Sequence, residues 1–175
     1  MDKKALEKYL RPSYTVLVVG IIIDVFCVLF LASGLFLPAL ITLILGCVCT
    51  WAGWSSFSDL KKQLDELEAS GRLDSVLREF GSGKQFFKDK LRLGPTYILG
   101  KRSGKILTHS QVRKVYQYVH KTNFAEDLRE MRVETDDGKV TDVCKIPLKG
   151  KGDQELVQAI AIMKTMNPGI HIGYK

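Results

Sequence analysis

Apolar residues run almost unbroken over positions 14–54, and beyond Ser58 the chain interleaves polar and apolar side chains. The apolar block carries one charge, Asp24, and covers roughly forty residues, whereas a helix needs about 20 to cross the hydrocarbon core of a bilayer. Gly34 and Pro38 interrupt it: proline cannot continue a helix, and glycine accepts the turn. The pattern predicts a transmembrane helical hairpin over 14–55, with spans at about 14–36 and 38–55 and a very short connection.

After the hairpin the period changes. Leu60, Leu64 and Leu67 recur at helical spacing over 58–70, with acidic residues elsewhere around the helix and Gly71 as its stop. A second short helix is expected over 73–80, where Leu73, Val76, Leu77 and Phe80 share a face. These two form a juxtamembrane segment, 56–85, that either packs on the following domain or meets a partner helix. Gly81-Ser82-Gly83-Lys84 lacks the first glycine of a phosphate loop and has Gln85 where a magnesium-binding hydroxyl belongs, so it reads as a linker.

From Phe86 onward short β-prone runs alternate with turn residues. Runs at 96–99 and 105–107 flank a five-residue turn, Gly100 to Gly104, as a hairpin. A longer run covers 112–124. Segments at 129–135 and 139–146 are joined by Asp136-Asp137-Gly138, the strongest hairpin signal in the chain. Leu156, Ile160 and Met163 then mark an amphipathic helix with Asp153 as N-cap and Asn167-Pro168-Gly169 as stop. Strands followed by one helix make an α+β soluble domain over 86–175.

The strand order, the Leu107-Thr108-x-x-Gln111-Val112-x-x-Val115-Tyr116 stretch, the Asp-Gly hairpin and the closing helix resemble a small bacterial pleckstrin-homology-like domain. The whole chain is similar to small bacterial membrane proteins with a helical hairpin ahead of such a domain. The resemblance implies an antiparallel sheet or partial barrel with a C-terminal helix, and brings no catalytic residues. The pattern gives five or six strands where the full fold has seven, so closure of the barrel stays open.

Charge sets the orientation. Lys3, Lys4, Lys8 and Arg11 precede the first span and Lys61 and Lys62 follow the second, while the connection is uncharged. Both termini, including a basic arm at 1–13, are therefore expected in the cytosol, with the protein multi-pass in the cell membrane. A cleaved secretory signal competes with this, but the apolar run exceeds the ~7–15 residues of a signal core and a second span follows directly. The four cysteines have neither disulfide nor zinc spacing.

Candidate chemistry is sparse. Asp24 lies near mid-membrane, where an ionisable group is expensive enough to mark either function or a specific helix contact. Counting back from the turn puts Thr50 and Trp51 at similar depth as donors. Gly46, Thr50 and Gly53 supply the small side chains that close helix packing uses. In the domain, ten basic side chains between positions 84 and 121, Arg92 among them, are opposed only by Asp89. Lys101, Arg102 and Lys105, with Arg113 and Lys114, are the candidate contacts to anionic lipid headgroups or an acidic partner. His109, His120 and His171 have no metal spacing, Cys144 has no evident activating device, and no nucleic-acid motif accompanies the basic residues. The expectation is a non-enzymatic, membrane-anchored interaction or scaffold module without cofactor or metal. The alternative is a small oligomeric channel, or an accessory subunit of a transporter, that uses Asp24.

Overall fold

A computed structural model describes residues 2–122, 125–148 and 150–174. The helices are α1 (Lys3–Leu10), α2 (Thr15–Ala32), α3 (Phe36–Ala69), α4 (Leu73–Ser82) and α5 (Gly152–Met166). The strands are β1 (Lys84–Phe86), β2 (Leu91–Leu93), β3 (Tyr97–Gly100), β4 (Ile106–Thr108), β5 (Val112–Thr122), β6 (Ala125–Thr135), β7 (Val140–Ile146) and β8 (His171–Tyr174). They form two compact units, one of residues 12–62 and the other of residues 1–11 with 63–175.

In the helical unit, α2 and the first part of α3 run antiparallel. The tight turn between them is a Schellman motif, in which the amides of Gly34 and Leu35 reach the Leu31 and Phe30 carbonyls at 3.1 and 2.9 Å. Gly34 takes φ +74°, which a side chain would resist. The break thus falls at Ser33–Leu35, earlier than the expected one. Pro38 sits inside the first turn of α3, where its missing N–H is one that the helix leaves unpaired anyway. The second helix continues beyond the expected span to Ala69, and the helical spacing of Leu60, Leu64 and Leu67 falls on that continuation. Both helices are long and apolar enough to cross a membrane. Gly20 and Cys27 are the buried residues of α2, and large side chains such as Phe26, Leu29, Phe36 and Trp51 stay exposed, unlike those of a soluble core helix.

The other unit has an α+β layout with two sheets. One is an antiparallel meander in the order β1-β2-β3-β4, and the other has the order β7-β6-β5-β8, antiparallel except for the parallel β5–β8 pair. The hairpins expected at the Lys101 turn and at Asp136-Asp137-Gly138 are present, with Ile98 opposite Leu107 and Glu134 opposite Val140. Phe124, the expected end of the 112–124 run, lies outside the described residues. Alternation puts Val115, Met131, Val133 and Val143 on the inner face, where Phe87, Leu91, Leu156, Ala159 and Met163 complete the core. α5 packs against β1, β2 and β7.

Four differences from the sequence reading have physical causes. The segment 81–84 is no linker, because α4 runs to Ser82 and β1 starts at Lys84. Asp153 is not the N-cap; α5 begins one residue before it, and its carboxylate pairs with Arg129 at 2.5 Å. α5 does not close the chain, since β8 returns after the Asn167 stop to lie beside β5 and makes that sheet mixed. Residues 1–11 are not a separate arm. Leu6, Tyr9 and Leu10, at i, i+3 and i+4, are buried, so α1 is a packed part of the α+β unit.

Candidate functional site

Within the helical unit, small residues set the distance between the helices. A Cβ built on Gly46 would stand 1.9 Å from Asp24 Oδ1, one on Gly20 2.5 Å from Thr50 Oγ1, and one on Gly53 2.9 Å from the Leu17 main chain. The closeness lets the Thr50 hydroxyl donate to Asp24 Oδ2 at 3.1 Å. Asp24 Oδ1 is buried against Gly46 and, among the described residues, has no hydrogen-bond partner. The sequence-expected pair of Asp24 and Thr50 is thus brought together, and both carboxylate oxygens face α3 of the same hairpin.

The five basic candidates come from two different sheets. Lys101, Arg102 and Lys105 belong to the β3–β4 turn of the first sheet, whereas Arg113 and Lys114 open β5 of the second. Lys105 is half-buried and its Nζ donates to Thr141 Oγ1 at 3.2 Å, and the Lys114 ammonium lies 5.5 Å from the centre of the Tyr116 ring. Lys101 and Arg102 are exposed and, among the described residues, have no acidic partner. Their turn is anchored from behind. The amides of Arg102 and Gly104 donate to the Tyr9 and Leu10 carbonyls at 2.9 Å each, so the turn satisfies two of the carbonyls that the end of α1 leaves open. Arg102 holds φ +64°, an uncommon conformation for a residue with a side chain.

Arg92 is no surface cation. It is 8% exposed, with its guanidinium 5.2 Å from the Tyr9 ring centre and 4.4 Å from that of Phe80. It donates to both Asp89 oxygens, at 2.6 and 3.0 Å, and to the Phe80 carbonyl at 2.6 Å. The Asp89 carboxylate holds the Arg92 pKa above its ordinary value, and burial pushes the Tyr9 phenol well above its own. This clamp escaped the sequence reading, although Leu6, Tyr9 and Leu10 ahead of Pro12 already spell one amphipathic helix face.

Cys144 and His109 are used by the fold. Cys144 is buried in β7 and burial pushes its thiol up to about 12, the reverse of what a nucleophile needs. His109 is buried, with Nε2 donating to the Gly94 carbonyl at 3.0 Å, and burial lowers its pKa. Among the described residues, no three His, Cys, Asp or Glu side chains gather where they could hold a metal. Comparison of the chain with protein-family models, with curated proteins and with solved structures finds no match.

Proposed function

We propose that the chain is a non-enzymatic, membrane-anchored binding module. Its apolar hairpin spans a bacterial cell membrane with both termini in the cytosol, and its soluble unit is a pleckstrin-like domain that engages anionic lipid headgroups or an acidic protein partner. The observation that carries this reading is the place of α1. The segment leading into the first apolar helix contributes Leu6, Tyr9 and Leu10 to the α+β unit, so a folded element of the domain directly precedes the first span in the chain. The bias of lysine and arginine toward the outer flanks of the hairpin supports the orientation. Two four-stranded sheets with a late helix support the pleckstrin-like reading, and β8 is a departure from it.

The transport alternative has less support, because Asp24 turns its oxygens toward Thr50 and Gly46 of its own hairpin and makes an internal helix contact. The test is purification of the full-length protein in mild detergent, followed by the intact mass of the particle. A monomer that retains anionic phospholipid is expected. A stoichiometric protein companion would move the reading to its protein-partner form. A homo-oligomer whose ion flux in liposomes is abolished by Asp24→Asn would overturn it in favour of a channel.

A further inference from the structure

We infer that Lys4 and Lys8 of α1, together with Lys101 and Arg102 of the β3–β4 turn, form one surface for the headgroups of anionic phospholipids; this rests on the membrane-anchored reading above and names its site. At 100° per residue, Leu6, Tyr9 and Leu10 define the buried face of α1, and Lys4, Lys8 and Arg11 fall along the opposite line at i, i+4 and i+7. α1 therefore has its apolar side committed to the domain and a basic stripe directed away from it. The β3–β4 turn joins that stripe because the Arg102 and Gly104 amides are bonded to the last carbonyls of the same helix. The two basic sets move as one body.

Of the acids near this surface, Asp2 caps α1 by accepting from the Lys4 amide, Asp65 stands near Lys3, and three others are in ion pairs. Glu7 pairs with Arg11 at 2.8 Å, Glu68 with Lys3, and Asp89 with Arg92. Lys4, Lys8, Lys101 and Arg102 are exposed and, among the described residues, have no ion-pair partner. Four cations without an ion pair, two of them on the helix that precedes a span in the chain, match a layer of phosphodiesters. The chain from Leu10 to Thr15, the first residue of α2, can be at most about 18 Å long even when extended. That tether keeps α1 within reach, on the order of one to two Debye lengths, of the headgroups that surround the span. Arg102 also keeps a left-handed backbone that glycine would hold more easily, so the turn carries a cation at a backbone cost.

The test uses the full-length wild-type protein in nanodiscs of phosphatidylcholine alone or with phosphatidylglycerol. Acylation rates of individual lysines are read by mass spectrometry, with exposed Lys88 and Lys145 as internal references. Phosphatidylglycerol should slow Lys4, Lys8 and Lys101 by roughly fivefold or more relative to the references, in line with the strength of single lysine–lipid contacts, and high salt should remove the effect. Protection of Lys114 with no change at Lys4, Lys8 and Lys101 would overturn this site while leaving lipid binding standing. Equal rates in both membranes at every lysine would overturn the lipid reading itself.

Discussion

The Arg92 guanidinium lies over the Tyr9 ring at 5.2 Å, so a cation from β2 and an aromatic from α1 are stacked in the interior of one unit. Phe80 covers the guanidinium as well, and Asp89 neutralises it. A cation placed there without its carboxylate would be strongly unfavourable, so the clamp works only as a set. The Tyr9 hydroxyl adds a long contact to the Leu99 carbonyl at 3.4 Å and a minor one to the Arg92 guanidinium. Tyr9→Phe should therefore cost under about 1 kcal/mol, and Tyr9→Ala about 3 kcal/mol or more. Thermal unfolding of the full-length protein in detergent, followed by near-ultraviolet circular dichroism, separates the two. Equal losses would mean that the ring is not the anchor of α1.

Arg92→Lys keeps the charge and loses the planar fork that reaches both Asp89 oxygens and the Phe80 carbonyl. A loss of about 1–3 kcal/mol is expected, with faster hydrogen exchange in α1 than in β5 and β6. Uniform acceleration across the unit would instead mark Arg92 as an ordinary core residue with no special hold on α1.

Gly46 and Asp24 are coupled by volume. Gly46→Ala places a methyl where Asp24 Oδ1 now lies, so the carboxylate must turn and lose Thr50, or the helices must part. A cost of about 1–3 kcal/mol is expected, as for other overpacked sites. Asp24→Ala should recover most of it in the double variant, because the space is then vacated. A double-mutant cycle on unfolding of the hairpin in detergent measures the coupling, and additive losses would show that the two side chains do not meet.

What the sequence showed and hid follows from the range of each interaction. Leu60, Leu64 and Leu67 announce their helix because its period is local, and Asp136-Asp137-Gly138 announces its hairpin because the turn chemistry is local. The pairing of Asp24 with Thr50 was legible because a hairpin with one short turn fixes depth by counting. By contrast, β8 has four residues and pairs in parallel with a strand more than fifty positions earlier, so nothing in its own pattern gives it away. Arg92 looks like any surface cation until Tyr9 arrives from the other end of the chain. The same long-range docking turned Lys4 and Lys8 from orientation signals into part of a candidate surface.

His109 makes stability depend on pH. Its pKa is lowered by burial in the folded protein, with the Glu79 carboxylate nearby opposing that shift, while the unfolded chain takes up its proton near the ordinary value of about 6.5. Below that pH the unfolded state binds more protons, so the stability present above about pH 6.5 is lost as the solution is acidified. The slope should not exceed about 1.4 kcal/mol per pH unit for this one group. His109→Gln, which can still donate to the Gly94 carbonyl, should flatten the decline in melting temperature between pH 6.5 and 5. An unchanged slope would assign the decline to other groups.

Phe87, Lys88 and Asp89 hold φ angles of 55°, 57° and 63°, a left-handed turn made without glycine. Each such residue costs on the order of 1 kcal/mol against a glycine in the same conformation. Two of the three have compensation in the folded state: Phe87 is buried in the core with its amide donating to the Glu155 carboxylate, and Asp89 is paired with Arg92. Lys88 is exposed and, among the described residues, has no such contact. It is therefore where relief of strain should appear undiluted. Lys88→Gly is expected to raise stability by about 0.5–1 kcal/mol, reduced somewhat by the greater freedom of glycine in the unfolded chain. Lys88→Val should lower it, since a β-branched side chain resists this conformation most. Urea unfolding of the two variants beside Lys88→Ala gives the comparison. If glycine proves no more stable than alanine, the left-handed turn is not under strain at Lys88, and the same argument for Arg102 fails with it.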